Sequence, residues 1–406
     1  MTTHYDRNLF WLLVQRIALI SIGLVYVLWI PRLLGPELFG SFTLLFSVLM
    51  GAMIFTELGA QSTLSRCLPR HPSMTAVLFK AYAYRQWALS ILFALGAFGI
   101  GVRMQGGDLL TGLLFASTVL LGCGGQIFYA VPLAKGHGAR WGMSFVVRRL
   151  LGLGAVALGF RCGGWKGILV GLLLVELTVC LIGAFWSRED WRRPRRSISP
   201  KRFGYLFRFG LEYQLAGIFL LLWRYAGEWS VKGLTDNAEF VGYYALAMGI
   251  YVAAEAALQQ LGAFSAPYLR RAGSGDEMLP MLTRRTCWLF VPGFLGVLLS
   301  FWLREPFVRV LAGEDYLPAA QLLPWMAAAL CVYLPVPLFQ ARMLAEGRSR
   351  LHRLTSFARL GLFMAAVIPA VSFLKWQGVA AAMLLSNLGY TGMLCWRLKK
   401  GPTSKV

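Results

Sequence analysis

Acidic residues are scarce in this 406-residue chain. There are 18 Asp and Glu against 40 Lys and Arg, and the four charged types together make up only 14% of it. A water-soluble globule of this length carries roughly 25% charge, so that class is excluded. Histidine is scarcer still, with four residues (His4, His71, His137, His352), all of which the topology derived below puts on the cytoplasmic side. That removes the usual metal ligands and any histidine relay from the apolar segments, and no metal site is expected. The seven cysteines (Cys67, Cys123, Cys162, Cys180, Cys287, Cys331, Cys395) show no CxxC spacing. Most lie in or beside apolar stretches, where a free thiol acts as a small hydrophobe, and they imply no disulfide framework. No soluble stretch holds a nucleotide-phosphate loop or a paired-carboxylate motif.

What is abundant is apolar length. The chain is 57% hydrophobic, and runs of about 20 mostly apolar residues, enough to span a bilayer, recur throughout. Twelve spans are expected: Leu9–Ile30, Ser41–Leu64, Trp87–Val102, Leu109–Leu133, Met143–Phe160, Gly167–Trp186, Tyr205–Trp229, Val241–Phe264, Cys287–Leu303, Ala319–Phe339, Leu354–Leu374 and Gln377–Leu398. The first is too long for a signal-peptide core and lacks a small-residue cleavage site, so it reads as a span.

The net charge of +22 raises the question of nucleic acid, and sorting the charges by loop answers it. With the N-terminus cytoplasmic, only eight of the 40 Lys and Arg fall in outside loops, and most of the rest fall in inside ones. That bias is the orientation signal of membrane insertion. It puts both termini inside and needs no nucleic acid. The densest run, "SREDWRRPRRSISPKR" (Ser187–Arg202), reads as a cytoplasmic connector drawn to anionic lipid headgroups. The expected organisation is a six-helix lobe over 1–186, a basic connector over 187–204, a second six-helix lobe over 205–398 and a tail over 399–406.

The two halves echo each other. "LLGPELFGSFTLLFSVLM" (Leu33–Met50) follows span one and "LTDNAEFVGYYALAMGIYV" (Leu234–Val252) follows span seven. Gly40 aligns with Gly242 at an offset of 202, Leu44 with Leu246 and Ala52 with Ala254. Six spans per half is even, so the repeat is parallel, and internal repeats mark transporters. The arginine-bearing first span, the following "RLLGPELFGSFTLLFSVLMGAMIFTELGAQSTLSR" (Arg32–Arg66) and the later "FVGYYALA" resemble the bacterial polysaccharide flippases. These are the O-antigen and exopolysaccharide translocases of the multidrug/oligosaccharidyl-lipid/polysaccharide exporter superfamily. The resemblance implies an all-α integral membrane protein of about twelve transmembrane helices, in two six-helix pseudo-repeated lobes around a central cavity. It implies a bacterial inner-membrane transporter, not an enzyme, that moves undecaprenyl-pyrophosphate-linked oligosaccharides outward by alternating access. Its partners would be that lipid-linked substrate, membrane lipids, and the polymerase and glycosyltransferases of the same pathway. No cofactor is implied beyond a proton or sodium gradient.

Charges inside spans are costly and mark cavities or pairs. Arg208 with Glu212 and Arg224 with Glu228 are four apart, so each pair shares a helix face. Arg148, Arg149 and Arg359 lie near the inner interface, where snorkelling is the default. Arg16, with no acid three or four residues away, is expected to face a cavity. The candidate substrate-binding residues are Arg16, Arg224, Arg149 and Arg359, since guanidinium binds phosphate in bidentate fashion. Glu57, Glu176 and Glu255 are the candidate ion-coupling carboxylates. Glu57 maps onto Gln259, one turn beyond Glu255, and Glu176 has no basic residue near it in sequence. Two prolines in "YLPVPLF", Pro335 and Pro337, predict a kink or hinge in span ten. The rival readings are a multidrug-type exporter of the same superfamily and a membrane polysaccharide polymerase or ligase. The first is disfavoured by the arginines. The second is disfavoured by the shortness of the outer loops, of which the longest is about fifteen residues (Arg304–Pro318).

Overall fold

The computed structural model describes residues 2–67, 75–104, 106–135, 138–192, 200–271, 278–345 and 349–399. The side chains of 2–16, among others, lie outside that description, as do the connector residues 193–199 and the tail from 400. Every regular element described is helical. α1 (Thr2–Glu57) carries the first two crossings and turns at Gly35, whose φ of 72° only glycine adopts freely. The second crossing continues into α2 (Ala60–Cys67). α3 (Thr75–Met104) is the third, and α4 (Leu109–Gly125) with α5 (Ile127–Ala134) form the fourth. α6 (Gly138–Arg192) holds the fifth and sixth, reversing at Gly163 and Gly164. α7 (Pro200–Thr235), α8 (Ala238–Arg271) and α9 (Met278–Ala312) follow. A 3-10 helix (Glu314–Leu322), α10 (Leu323–Tyr333) and α11 (Val336–Ala345) make the tenth, and α12 (Ser349–Leu374) and α13 (Gly378–Lys399) complete twelve.

By length and composition, seven helical stretches among the described residues can cross a membrane, and those of 45, 51 and 48 residues hold two crossings each. Trp302 and Phe373 are 85% and 86% exposed. Such exposure on long helices suits lipid, not water.

Two crossings are broken in mid-course, and each break is repaired by a neighbouring side chain. Between α4 and α5 at Gln126, the Gln86 amide on α3 donates to the Cys123 carbonyl at 2.7 Å. Between α10 and α11 at Leu334 and Pro335, the Asn387 amide and the Thr391 hydroxyl on α13 donate to the Ala329 and Val332 carbonyls, each at 3.1 Å. Backbone groups freed by a break inside apolar surroundings persist only when protein re-satisfies them. The break that Pro335 and Pro337 predict is therefore present, with Pro335 at its centre.

By contacts the chain separates into two compact units, Met1–Tyr26 with Leu45–Ile218, and Val27–Leu44 with Phe219–Val406. This division and the contiguous lobes expected from the sequence partition the chain differently. Within unit 2 the two echoing turns pack on each other. A Cβ at Gly40 would strike the Ala238 carbonyl and one at Gly242 would strike the Pro36 carbonyl. Pro36 and Ala238 are also 202 apart, so the contact is reciprocal. A second correspondence has its own offset. Gly159 and Gly167 bring the two arms of α6 into backbone contact, and Ala370 and Gly378 do the same for α12 and α13. Both members are shifted by 211.

At the N-terminal end of α4, Asp108 accepts from the Leu110 amide at 3.2 Å and the Thr111 hydroxyl at 2.7 Å, and pairs with Lys166 at 3.0 Å. The Thr111 hydrogen bond first, and then Lys166, hold its carboxyl below the ordinary range.

Candidate functional site

Each unit keeps one arginine inward on its penultimate crossing. In unit 1 the Arg148 Nε and Nη2 both donate to Glu176 Oε1, at 2.9 and 2.6 Å, and Nη2 lies 3.1 Å from the Met53 sulfur. Glu176 thus has a basic partner after all, 28 residues back on the other arm of α6. Arg148 also borders a small polar cavity of about 50 Å³, walled in addition by Glu57, Gln61, Gln86, Gln126 and Ser144. The buried Gln86 carbonyl oxygen has no hydrogen-bond partner among the described residues, and the volume suits a few waters. Glu57 accepts from the Gln214 amide at 3.2 Å and the Gln61 backbone at 3.3 Å.

In unit 2 the Arg359 Nε and Nη2 both donate to Asn387 Oδ1, again at 2.9 and 2.6 Å. Its guanidinium lies 3.4 Å from the Trp223 ring centre and 5.0 Å from those of Tyr333 and Tyr390. Arg359 is 1% exposed. The snorkelling expected for it is therefore corrected: the Asn387 oxygen, the Tyr251 hydroxyl 3.5 Å from Nη2 and a ring stack hold the charge inside. Glu255 lies between two arginines, with Oε2 3.0 Å from Arg224 and Oε1 4.0 Å from Arg359.

The pairing of Arg224 with Glu228 is corrected too. Arg224 reaches across to α8, and Glu228, on the same helix, is buried with Oε2 unpartnered among the described residues. Arg208 does pair with Glu212, at 3.6 Å and well exposed. Arg149 is exposed, with its guanidinium 6.0 Å from the Phe46 ring centre. Arg16 lies on α1, with its side chain outside the described residues.

The structure thus brings Arg224, Arg359 and Glu255 together, and puts Glu176 with an arginine that was not among the substrate-binding candidates. It keeps Glu57 and Glu255 in different units. Glu255 corresponds to Met53 at the 202 offset, one turn before Glu57. Sequence reasoning missed Asn387, Trp223 and Tyr251, whose hydroxyl accepts from the Asn387 amide at 3.0 Å. For Asn387 the available signal was the identical 28-residue spacing of Arg148 to Glu176 and Arg359 to Asn387.

Residues 6–270, more than half of the chain, match the polysaccharide biosynthesis protein family. The chain belongs to that family. Among curated proteins, none matches it in sequence. Several solved structures share the fold. An inward-facing multidrug resistance MATE family transporter of the MOP superfamily superposes with a TM-score of 0.69 at 12% identity, over 95% of this chain and 94% of that one. The lipid II flippase MurJ in an inward closed conformation gives 0.63 at 14%, over 97% and 87%. The Vibrio cholerae MATE transporter VcmN in its bent form gives 0.62 at 14%, over 98% and 96%. This member of the polysaccharide biosynthesis protein family therefore has the twelve-helix transporter fold and is a multi-pass membrane protein.

Proposed function

We propose that this protein flips undecaprenyl-pyrophosphate-linked oligosaccharide repeat units across the bacterial inner membrane, with both termini cytoplasmic, for cell-surface polysaccharide biosynthesis. The observation that carries the reading is a family match over more than half of the chain in a fold that keeps arginines at membrane depth. A pyrophosphate needs cationic donors, and guanidinium supplies paired N–H groups matched to phosphate oxygens. Arg224, with about a third of its side chain exposed, and Arg16 are the residues assigned to that anion. Arg149, exposed at the inner half of α6, meets the substrate earlier, and the enclosed Arg359 acts from behind. Glu57, beside the polar cavity of unit 1, is assigned the coupling proton or sodium, with Glu176 and Glu255 holding arginines. Pro335 and Pro337 give the tenth crossing a bend that can open and close with alternating access.

A second reading, a multidrug-type small-molecule exporter, is supported by the multidrug resistance MATE family transporter that shares the fold. Cationic cargo sits poorly beside arginines, which is why the first reading is preferred. Deleting the gene decides between them. Lipid-linked single repeat units should accumulate on the cytoplasmic leaflet, with drug sensitivity unchanged. Unpolymerised units on the outer leaflet would point to a polymerase, and a drug-sensitivity phenotype alone would point to the exporter.

A further inference from the structure

The two inward arginines share one arrangement, used twice. Arg148 and Arg359 are 211 apart, as are their acceptors Glu176 and Asn387, and as are the glycine-contact positions of the same helix pairs. The forks match bond for bond, with Nε at 2.9 Å and Nη2 at 2.6 Å from a single oxygen in both units. The third corner corresponds as well. Met53, whose sulfur touches the Arg148 Nη2, and Glu255, 4.0 Å from the Arg359 Nη1, are 202 apart, the offset that relates the two turns.

Each unit therefore has one acid facing its arginine, but on different helices. Unit 1 carries it on the second arm of α6, and unit 2 carries it on α8. The move changes what the acid is free to do. In unit 1 the Arg148 fork occupies Glu176 Oε1, and the pair balances one to one. In unit 2 a neutral amide takes the fork of Arg359. Glu255 is left with Oε2 free to bind Arg224, so two arginines share one carboxylate. A guanidinium has five N–H donors. Among the described residues only the Nη2 of Arg224 makes a hydrogen bond, so the other donors of this third-exposed side chain are unspent.

We propose that relocating the acid to α8 made unit 2 an anion-binding arm. In it Glu255 is a positioning residue that aims Arg224 at a phosphate-type group, and the Arg359–Asn387 fork anchors Glu255 from behind. This rests on the reading above, in which Arg224 meets the substrate pyrophosphate.

The test moves the acid back, in the full-length protein purified in detergent. In unit 1, Glu176→Gln should lower the thermal midpoint, because Arg148 loses its counter-charge, and adding Met53→Glu should restore it. No loss in the single variant, or no recovery in the double, would overturn the correspondence between units. In unit 2, Asn387→Glu with Glu255→Met recreates the arrangement of unit 1. It should melt close to wild type and above Glu255→Met alone, yet bind inorganic pyrophosphate about ten- to a hundredfold more weakly, the loss expected for one charge-assisted bond. Arg224→Gln should show the same weakening. If the double variant bound pyrophosphate like wild type while Arg224→Gln did not, the positioning role of Glu255 would be wrong and the anion site would stand. If Arg224→Gln bound like wild type, or wild type did not bind at all, the underlying assignment of Arg224 would fail.

Discussion

An arginine can stay inside this protein on one of two terms: full enclosure by protein acceptors and rings, or a partial pairing that leaves it part-exposed with donors for something else. Arg359 meets the first and Arg224 the second, and substitution by lysine separates them. Lysine keeps the charge but loses the fork and the ring stack. Arg359→Lys should therefore destabilise by about 2–3 kcal/mol, near the value of a hydrogen bond to a charged group together with the lost ring stack, read as a lowered melting midpoint. Arg224→Lys should melt near wild type and lose part of its transport. Arg16 is tested in the same way. Arg16→Lys should keep partial transport, while Arg16→Gln should abolish it at normal membrane abundance. Rescue of Arg16→Gln by Glu57→Gln, Glu176→Gln or Glu255→Gln would instead make Arg16 a structural partner of that acid. At this scale the sequence was legible for which residues carry charge at depth, and poor for who meets whom. Helical spacing suggested Glu228 for Arg224, but the partner is Glu255, 31 residues away on another helix. Local periodicity holds no information about such a pair.

Helix pairs here are set by glycine where backbones touch and by polar caps where helices end or break. The reciprocal contact of Gly40 with Ala238 and Gly242 with Pro36 leaves no room for a Cβ, because the obstacle is backbone. Gly242→Val should cost about 1–3 kcal/mol, the usual penalty of overpacking. Gly51→Ala, with nothing within 4 Å of the added carbon, should leave the melting midpoint almost unchanged. Asp108 gives a pH-dependent case. Its carboxyl is held below the ordinary range by Thr111 and then Lys166, so its contribution is present above that range and lost as pH falls through the lowered value. Asp108→Asn should melt below wild type at neutral pH and match it in strong acid, as thermal scans across pH would show. The break in the tenth crossing was legible because proline removes a donor in any context. The break at Gln126 was not. No proline marks it, and only the folded neighbour Gln86 shows how its freed carbonyl is satisfied.

Over the whole chain, twelve crossings follow from apolar length and the reversals at glycine, and six plus six follows from the echo at 202. The second offset, 211, was harder to see because only part of it keeps its residues: Arg148 matches Arg359 and Gly167 matches Gly378, but Glu176 stands against Asn387 and Gly159 against Ala370. The two forks keep one geometry with different acceptors, so the folded chain aligns them more plainly than the sequence does. Orientation is the part of the architecture that rests on the sequence alone. It depends on the eight outside Lys and Arg out of 40, a bias that acts through short loops near span ends. Ser197 lies in the basic connector between the sixth and seventh crossings, and Asp315 lies in the 3-10 helix that opens the tenth. An odd number of crossings, the seventh to the ninth, separates the two positions. Reporter fusions active on only one side of the membrane should therefore give opposite signals there, cytoplasmic at Ser197 and external at Asp315. Matching signals would mean that one of these three helices does not cross, and a parallel repeat of six and six would then be impossible. Opposite signals in the reverse sense would keep the repeat and invert the protein, placing the basic connector outside against the bias that motivates the assignment.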